Sequence, residues 1–373
     1  MESNNNMLKR ICHVTSVHPV TDTRIFWKEC VSLSKLYEVC LIAANTTDKN
    51  IHGIPIFNVD LPKGRFRRQK CLGKVLDKMI EVDADIYHFH DPELMRIGLK
   101  IKKRGKKIIF DSHEDIPNQI LDKQYIPKIF RKPISFFYSL YEENKLKHYD
   151  ALITVTPSIV DRLKKINPQT YMVTNYPVLT EYKNKRSYWG GDKVCFAGGV
   201  CAQYMHENII RALEKTNAHY ILAGIVYPGY LEPIKKLKCW NRVDYRGILR
   251  HDEVYKIFDE SVAGIVLIDY TPNVGYHQGT LGVLKMFEYM MAGIPVIATD
   301  FVLWKEIVEG YDCGICVNPH NINAISDAIN FFVNNPEIAK EKGRNGRKAV
   351  EQLYNWSSQE KILFEIYQKL LNL

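Results

Sequence analysis

The sequence predicts two α/β domains in tandem, each built on a parallel sheet of the doubly wound type. Three observations carry this. Short apolar runs alternate with helical patterns along the whole chain. The alternation restarts after a polar stretch near the middle. The length, 373 residues, exceeds one ordinary core and suits two. Strands covered on both faces read as continuous apolar runs, and that is the form of these runs.

In the first half the runs at 11–17, 38–43, 54–59, 85–90, 107–111, 151–155 and 171–174 read as strands, with helical periodicity over 24–36, 92–103 and 157–165. The segment 179–192 is polar and holds the pair Gly190-Gly191, so it reads as a linker. The expected divisions are a first domain over 1–180, a linker over 181–192 and a second domain over 193–355. Strands in the second half are expected at 194–197, 219–223, 243–245, 262–268, 295–298 and 314–317. Helices are expected at 207–216, 252–259, 284–291 and 323–333. The tail 356–373 is an amphipathic helix that starts after Trp356-Ser-Ser, with a route back to the first domain open to it. Ligands of open parallel sheets bind beyond the carboxyl ends of the strands. Two such sheets are expected to leave a cleft with a donor on one side and an acceptor on the other.

Composition excludes several classes. Hydrophobic residues make up 46% and charged residues 25%, as in water-soluble globular proteins. No apolar run reaches 18 residues, and the start, MESNNNMLKRICHV, is polar and then basic. Neither a membrane span nor a secretion signal is expected, which points to the cytoplasm. The nine cysteines are scattered, and the pair Cys313 and Cys316 lies inside a strand-like run. Without a second pair it reads as reduced core packing in a reducing compartment, not as a metal or redox centre. The net charge of +9 is unevenly placed: the first 180 residues carry 29 Lys and Arg against 20 Asp and Glu. The excess gathers at 63–70, 100–107 and 123–132. Solvated helix faces are one reading of it. An anionic membrane surface is the sharper one. Nucleic acid is not expected, because these runs carry no nucleic-acid-binding motif or regular aromatic interleave.

The most informative segment runs from Gly275 to Thr299. A loop with Gly279, Thr280, Leu281 and Gly282 leads into a helix that ends near Gly293, and a strand follows. Free N–H groups and the positive dipole end at a helix start suit a diphosphate. Lys285 in the first turn adds a full positive charge. Glu288, about one turn on, is placed to accept two hydrogen bonds from a ribose diol.

The run Lys285-Met-Phe-Glu288-Tyr-Met-Met-Ala-Gly293-Ile-Pro-Val-Ile-Ala resembles the signature of the family 4 retaining glycosyltransferases of the GT-B fold. Further segments resemble that family in order: Thr15 to Phe26, Asp85 to Asp91, Phe110 to Asp115, Val173 to Pro177, Phe196 to Gly199, Asn345 to Val350 and Tyr354 to Trp356. The resemblance implies two Rossmann-like domains across a cleft and transfer of a sugar from a nucleotide sugar, with UDP as the expected nucleotide. Retention of anomeric configuration, a glycan or lipid-linked acceptor and a role in cell-surface polysaccharide assembly are also implied. It places Glu288 on the donor ribose and His113 near the anomeric centre. The family's earlier motif glutamate falls where this chain has Thr280, and its diphosphate-binding cation pair falls at Gly199 and Met205. Lys285, Arg246, Arg250 and the helix start are the candidates to replace that pair. His18, Asp22, Arg24 and His90 are candidates for an acceptor-side loop. No cofactor and no metal are expected; the one Asp-x-Asp, Asp83 to Asp85, precedes its strand. The alternatives are a catalytically silent GT-B partner subunit and a nucleotide-sugar 2-epimerase.

Overall fold

The computed structural model describes residues 8–179 and 191–372. The chain divides into two compact units: Met1–Asn175 with Ser357–Leu373, and Tyr176–Trp356. The expected linker therefore lies mostly outside the described residues.

The first unit holds strands β1 (Arg10–Val14), β2 (Glu38–Ala44), β3 (Asn50–Ile51), β4 (Ile54–Val59), β5 (Ile86–Phe89), β6 (Lys107–Ser112), β7 (Ala151–Thr154) and β8 (Thr170–Met172). Their order in the sheet is β3-β4-β2-β1-β5-β6-β7-β8. All pairings are parallel except β3 with β4. The chain leaves β1 toward β2 on one side and later fills β5 on the other. That reversal of winding puts the loops after β1 and β5 side by side at the carboxyl edge. β1 and β5 are apolar and buried, but each carries an imidazole, and His13 and His88 are partners in register.

Helix Thr23–Cys30 is a π-helix. The wider turn aligns residues five apart, so Arg24 and Glu29 both point inward and are buried. Asp22 caps it, accepting from the amides of Arg24 and Ile25 at 2.9 Å each. Two long helices, Arg65–Val82 and Lys128–Leu146, cover this unit where the sequence shows only basic clusters. The last helix, Trp356–Leu371, belongs to the first unit. Gln359 accepts from the amide of Thr174 at 2.8 Å, and the Tyr367 hydroxyl meets His88 Nδ1 at 2.8 Å.

The second unit holds β9 (Lys193–Val200), β10 (His219–Val226), β11 (Val243–Gly247), β12 (Ala263–Val266), β13 (Val296–Thr299) and β14 (Gly314–Val317). They form one sheet in the order β11-β10-β9-β12-β13-β14, parallel throughout. Winding reverses between β9 and β12, as it does between β1 and β5. The core is apolar on both faces and includes Phe196, Tyr220, Phe258, Phe287 and Trp304. Helix Leu284–Ala292 is almost wholly buried beneath it, which explains its run of Met, Phe and Tyr. The nine cysteines are free thiols. Among the described residues, no helix is long and apolar enough to cross a membrane.

Candidate active site

In the first unit the carboxyl ends of β1, β5 and β6 gather a network of ionisable groups. Asp111 lies at its centre, fully buried. Arg24 grips it with two hydrogen bonds, Nε to Oδ2 at 2.8 Å and a second guanidinium nitrogen to Oδ1 at 3.0 Å. Arg24 also donates to the carbonyl of Val173 at 2.8 Å and lies 3.1 Å from Glu29 Oε1. His113 Nε2 stands 3.2 Å from Asp111 Oδ2 and 3.3 Å from His90 Nδ1. His90 Nε2 meets His13 Nδ1 at 2.9 Å. Glu29 Oε2 sits 3.8–3.9 Å from His13, His88 and His90.

Burial sets the charge states. It holds the imidazoles of His13 and His88 well below their ordinary range and His90 at about 4. The same burial pushes Glu29 well up. Burial also opposes ionisation of Asp111, but Arg24 and then His113 outweigh it and keep the carboxylate charged. Arg24 resists its own desolvation through Asp111 and Glu29 and stays a cation. The network thus has a fixed ion pair at its base, with the neutral imidazoles of His13, His88 and His90 beside it.

The loop after β1 is tied to the end of β5. Asp91 accepts from Thr15 Oγ1 at 2.8 Å and from the amide of Ser16 at 2.6 Å. His18 reaches Asp22 and Asp91 at 3.4 Å each. The hydrogen bond to Asp22 raises the His18 imidazole against the pull of burial. Burial would raise Asp22 in turn, but His18 and the amides of Ile25 and Arg24 hold it well below the usual carboxylate range. His18, Asp22, Arg24, His90 and His113 therefore come together in one cluster. They differ in exposure. His18, Asp22 and His113 keep 32%, 22% and 21% of their side-chain surface, whereas Arg24 and His90 are enclosed. Arg24 and His90, expected on an acceptor-side loop, are buried within the network.

In the second unit the strand ends are bare. A cavity of about 460 Å³ is floored by Gly198 and Gly199 of β9 and by Gly224 of β10. Gly198 and Gly224 are register partners. A Cβ on Gly224, at φ +135°, would lie 1.6 Å from the carbonyl oxygen of Gly198. A Cβ on Gly198 would press on the Phe196 ring and on Lys285 Cε at 3.1 Å. Ile225, Tyr227, Ile248, Leu249 and Val254 form apolar walls. Among the described residues one cation, Lys285, lines the cavity, and its ammonium donates to Glu288 at 2.9 Å. Glu288 is almost fully buried.

The other donor-side candidates lie elsewhere. Arg246 is held by Asp244 and Glu260 at 2.7–3.0 Å, hydrogen bonds that keep its guanidinium charged. Arg250 pairs with Asp252 at 3.1 Å on the exposed surface. Neither lines the cavity. Helix Leu284–Ala292 begins later than Gly279–Gly282, so that loop precedes the helix and does not form its first turn. Gly279, at φ +82°, packs against Phe301, and Trp304 donates to the Thr280 carbonyl at 2.7 Å. The Thr280 hydroxyl accepts from the amide of Gly282 at 3.1 Å, so it closes a local turn. Sequence reasoning passed over His13, Glu29 and His88. For His13 and His88 the available signal was a polar residue inside a strand buried on both faces; Glu29 lies in the helix Thr23–Cys30 and carried no such signal.

Comparison with known proteins agrees with this geometry. The family described as Glycosyltransferase Family 4 matches residues 30–175, and that described as Glycosyl transferases group 1 matches residues 181–349. The O-antigen chain mannosyltransferase C of Escherichia coli is 21% identical over 311 residues, which is 79% of this chain and 78% of that protein. A probable sucrose-phosphate synthase 2 of Oryza sativa subsp. japonica is 26% identical over 148 residues, 39% of this chain. The chain spans only 14% of that rice protein's length. Among solved structures, Anabaena HepE in complex with UDP and glucose superposes with a TM-score of 0.73 at 14% identity. That match covers 97% of this chain and 100% of HepE, and it establishes the likeness of fold. Two Rossmann-like units, a terminal helix packed on the first, and both family matches in order make this chain a member of the family 4 glycosyltransferases of the GT-B fold.

Proposed function

We propose that this glycosyltransferase takes a hexose from a UDP-sugar bound to its second unit and transfers it, with retention, to a glycan or lipid-linked acceptor in polysaccharide assembly. The observation that carries this reading is the Lys285–Glu288 pair at the edge of the glycine-floored cavity. A flat base fits between apolar walls, and Tyr227 offers a ring to it. Glu288 accepts from the ribose diol. Lys285 sits next to the diphosphate, where glycines allow the backbone to come close. The nucleotide in HepE supports uridine as the base. Polysaccharide assembly is supported by the mannosyltransferase relative.

As the bond from the anomeric carbon to the diphosphate breaks, negative charge grows on the leaving oxygen. Lys285 stabilises that charge more in the transition state than in the ground state. The acceptor attacks from the same face, and the departing phosphate oxygen takes its proton. No carboxylate nucleophile is required, and charge neutralisation rests on Lys285 without a metal. On the first unit, His113 and His18 are the groups offered to sugar and acceptor, and Arg24, Asp111 and His90 hold them in place. The free thiols fit a reducing, cytoplasmic setting.

Thr280 in place of the family's glutamate favours a second reading, a silent partner subunit. Two measurements separate the readings. UDP-sugars should raise the melting temperature of the native protein, and Glu288→Ala should weaken UDP binding on the order of 10²-fold with the fold intact. Equal affinity in the variant sinks the donor assignment. Release of UDP only when an acceptor glycan is present supports transfer. Conversion of the donor alone identifies an epimerase.

A further inference from the structure

Helix Lys128–Leu146 is turned inside out for a domain in water. The two residues it buries are Glu142 and Leu146. Glu142 is held inside by Arg162. Outward it shows Ile129, Phe130, Ile134, Phe136, Phe137 and Leu140, with Ile129 76% and Phe137 68% exposed. Single exposed apolar residues are ordinary, but six on one helix of 19 residues are not.

Cations sit beside this surface. Lys128 and Lys132 are exposed on the same helix. Helix Arg65–Val82 brings its first turn alongside: Arg65 acts electrostatically on the hydroxyls of both Tyr138 and Tyr141. Arg65, Phe66 and Arg67 are all exposed, and Phe66 is 84% accessible. Two other basic residues of these runs are spent internally. Arg68 pairs with Glu93 at 2.8 Å, and Arg131 donates to the carbonyls of Ile126 and Leu121.

We propose that helix Lys128–Leu146 lies in the surface of an anionic lipid bilayer. Its phenylalanines and aliphatic side chains enter the acyl boundary, and Lys128, Lys132, Arg65 and Arg67 meet the phosphates. An amphipathic helix with apolar aromatics on one face and cations at its border binds a bilayer in this way, lying in it without spanning it. A second copy of the chain fits less well. A twofold pairing across this face would bring its cations against their own duplicates. The proposal stands on this surface alone and does not depend on the donor assignment.

Two components of binding follow. The cationic part is screened by salt, and the apolar part is not. The test is co-sedimentation with vesicles of phosphatidylcholine and phosphatidylglycerol. The native protein should pellet with them, lose part of its binding at high salt and keep the rest. Phe136→Ser with Phe137→Ser should cut the bound fraction about tenfold, including the salt-resistant part. Arg65→Glu with Arg67→Glu should remove the salt-sensitive part. Because these side chains are exposed, all variants should keep the native circular dichroism spectrum and melting temperature, which confirms that each remains folded. Native protein left in the supernatant at low salt, or a phenylalanine variant that pellets as well as the native chain, overturns the proposal. So does a native dimer that the same variant makes monomeric while neither form binds vesicles, since the face would then be a self-association surface.

Discussion

The two units share a winding and differ in what stands at their strand ends. Where β1, β5 and β6 finish, the first unit packs Arg24, Glu29, His90 and Asp111 into an enclosed network around the Arg24–Asp111 ion pair. Where β9 and β10 finish, the second unit has glycines, a cavity of about 460 Å³ and the cation of Lys285. The fold therefore supplies a place, the reversal of strand order, and side chains decide its use. A closed network holds a few partly exposed groups rigidly. An open, glycine-floored edge admits a flat ligand and its phosphates.

The largest test of this contrast is Arg24→Ala. It leaves Asp111 and Glu29 buried without their cation and should cost about 3–5 kcal/mol of stability. Chemical denaturation measures the loss, and UDP affinity at a temperature where the variant is folded should not change. A loss below about 1 kcal/mol would mean that water already enters the network.

Next comes Lys285→Ala on the open side. Turnover should fall on the order of 10²-fold, with a smaller change in the donor KM and little change in melting temperature. Arg246→Ala should leave turnover unchanged, because Asp244 and Glu260 occupy that guanidinium away from the cavity. If only the donor KM moves in Lys285→Ala, the lysine binds and does not catalyse.

The smallest effect is a difference in acid sensitivity. Burial lowers His13, His88 and His90 in the first unit and lowers His206 in the second, to about 4. An unfolded histidine takes up a proton near pH 6.5, and these folded ones do not until far lower. Their contribution is present above about pH 6.5 and fades as pH falls toward 4, by about 1 kcal/mol per histidine between pH 7 and 5.5. Glu29, which burial raises, works in the opposite sense and offsets part of this in the first unit. Hydrogen exchange at pH 7 and 5.5, corrected for intrinsic rates, should show the first unit losing protection sooner. Equal loss in both units would remove the contrast.

Much of the fold was legible because β-strands buried on both faces are plain apolar runs. Ile54–Val59 and Gly314–Val317 fall where their apolar character puts them. Helix Leu284–Ala292 was equally plain, since Gly293 closes it at φ +70°. The helices Arg65–Val82 and Lys128–Leu146 were not legible. One has no acidic residue in its first turn and begins in a basic run; the other carries Pro133 and turns apolar residues outward. Periodicity read against a core cannot find a helix whose apolar face does not meet one. On the site, Lys285 and Glu288 were legible because three residues of helix join them. His13, Glu29 and His88 were not, because only the register of β1 with β5 and the wide turn after Asp22 bring them together. Arg246 and Arg250, expected as donor-side cations, are paired with Asp244 and Glu260 and with Asp252, and of these partners only Glu260 is distant in sequence.

Helix Trp356–Leu371 has a consequence for how the molecule is made. It supplies Gln359 to the backbone of Thr174 and Tyr367 to His88, so the older half of the chain lacks part of its own structure until residue 371 has left the ribosome. The second unit is contiguous in sequence and can close on itself first, whereas the first must wait with an exposed seam while 181 later residues are made. Birth order and completion order are thus reversed, and a chaperone that shields nascent chains would find its substrate in the half that was synthesised first.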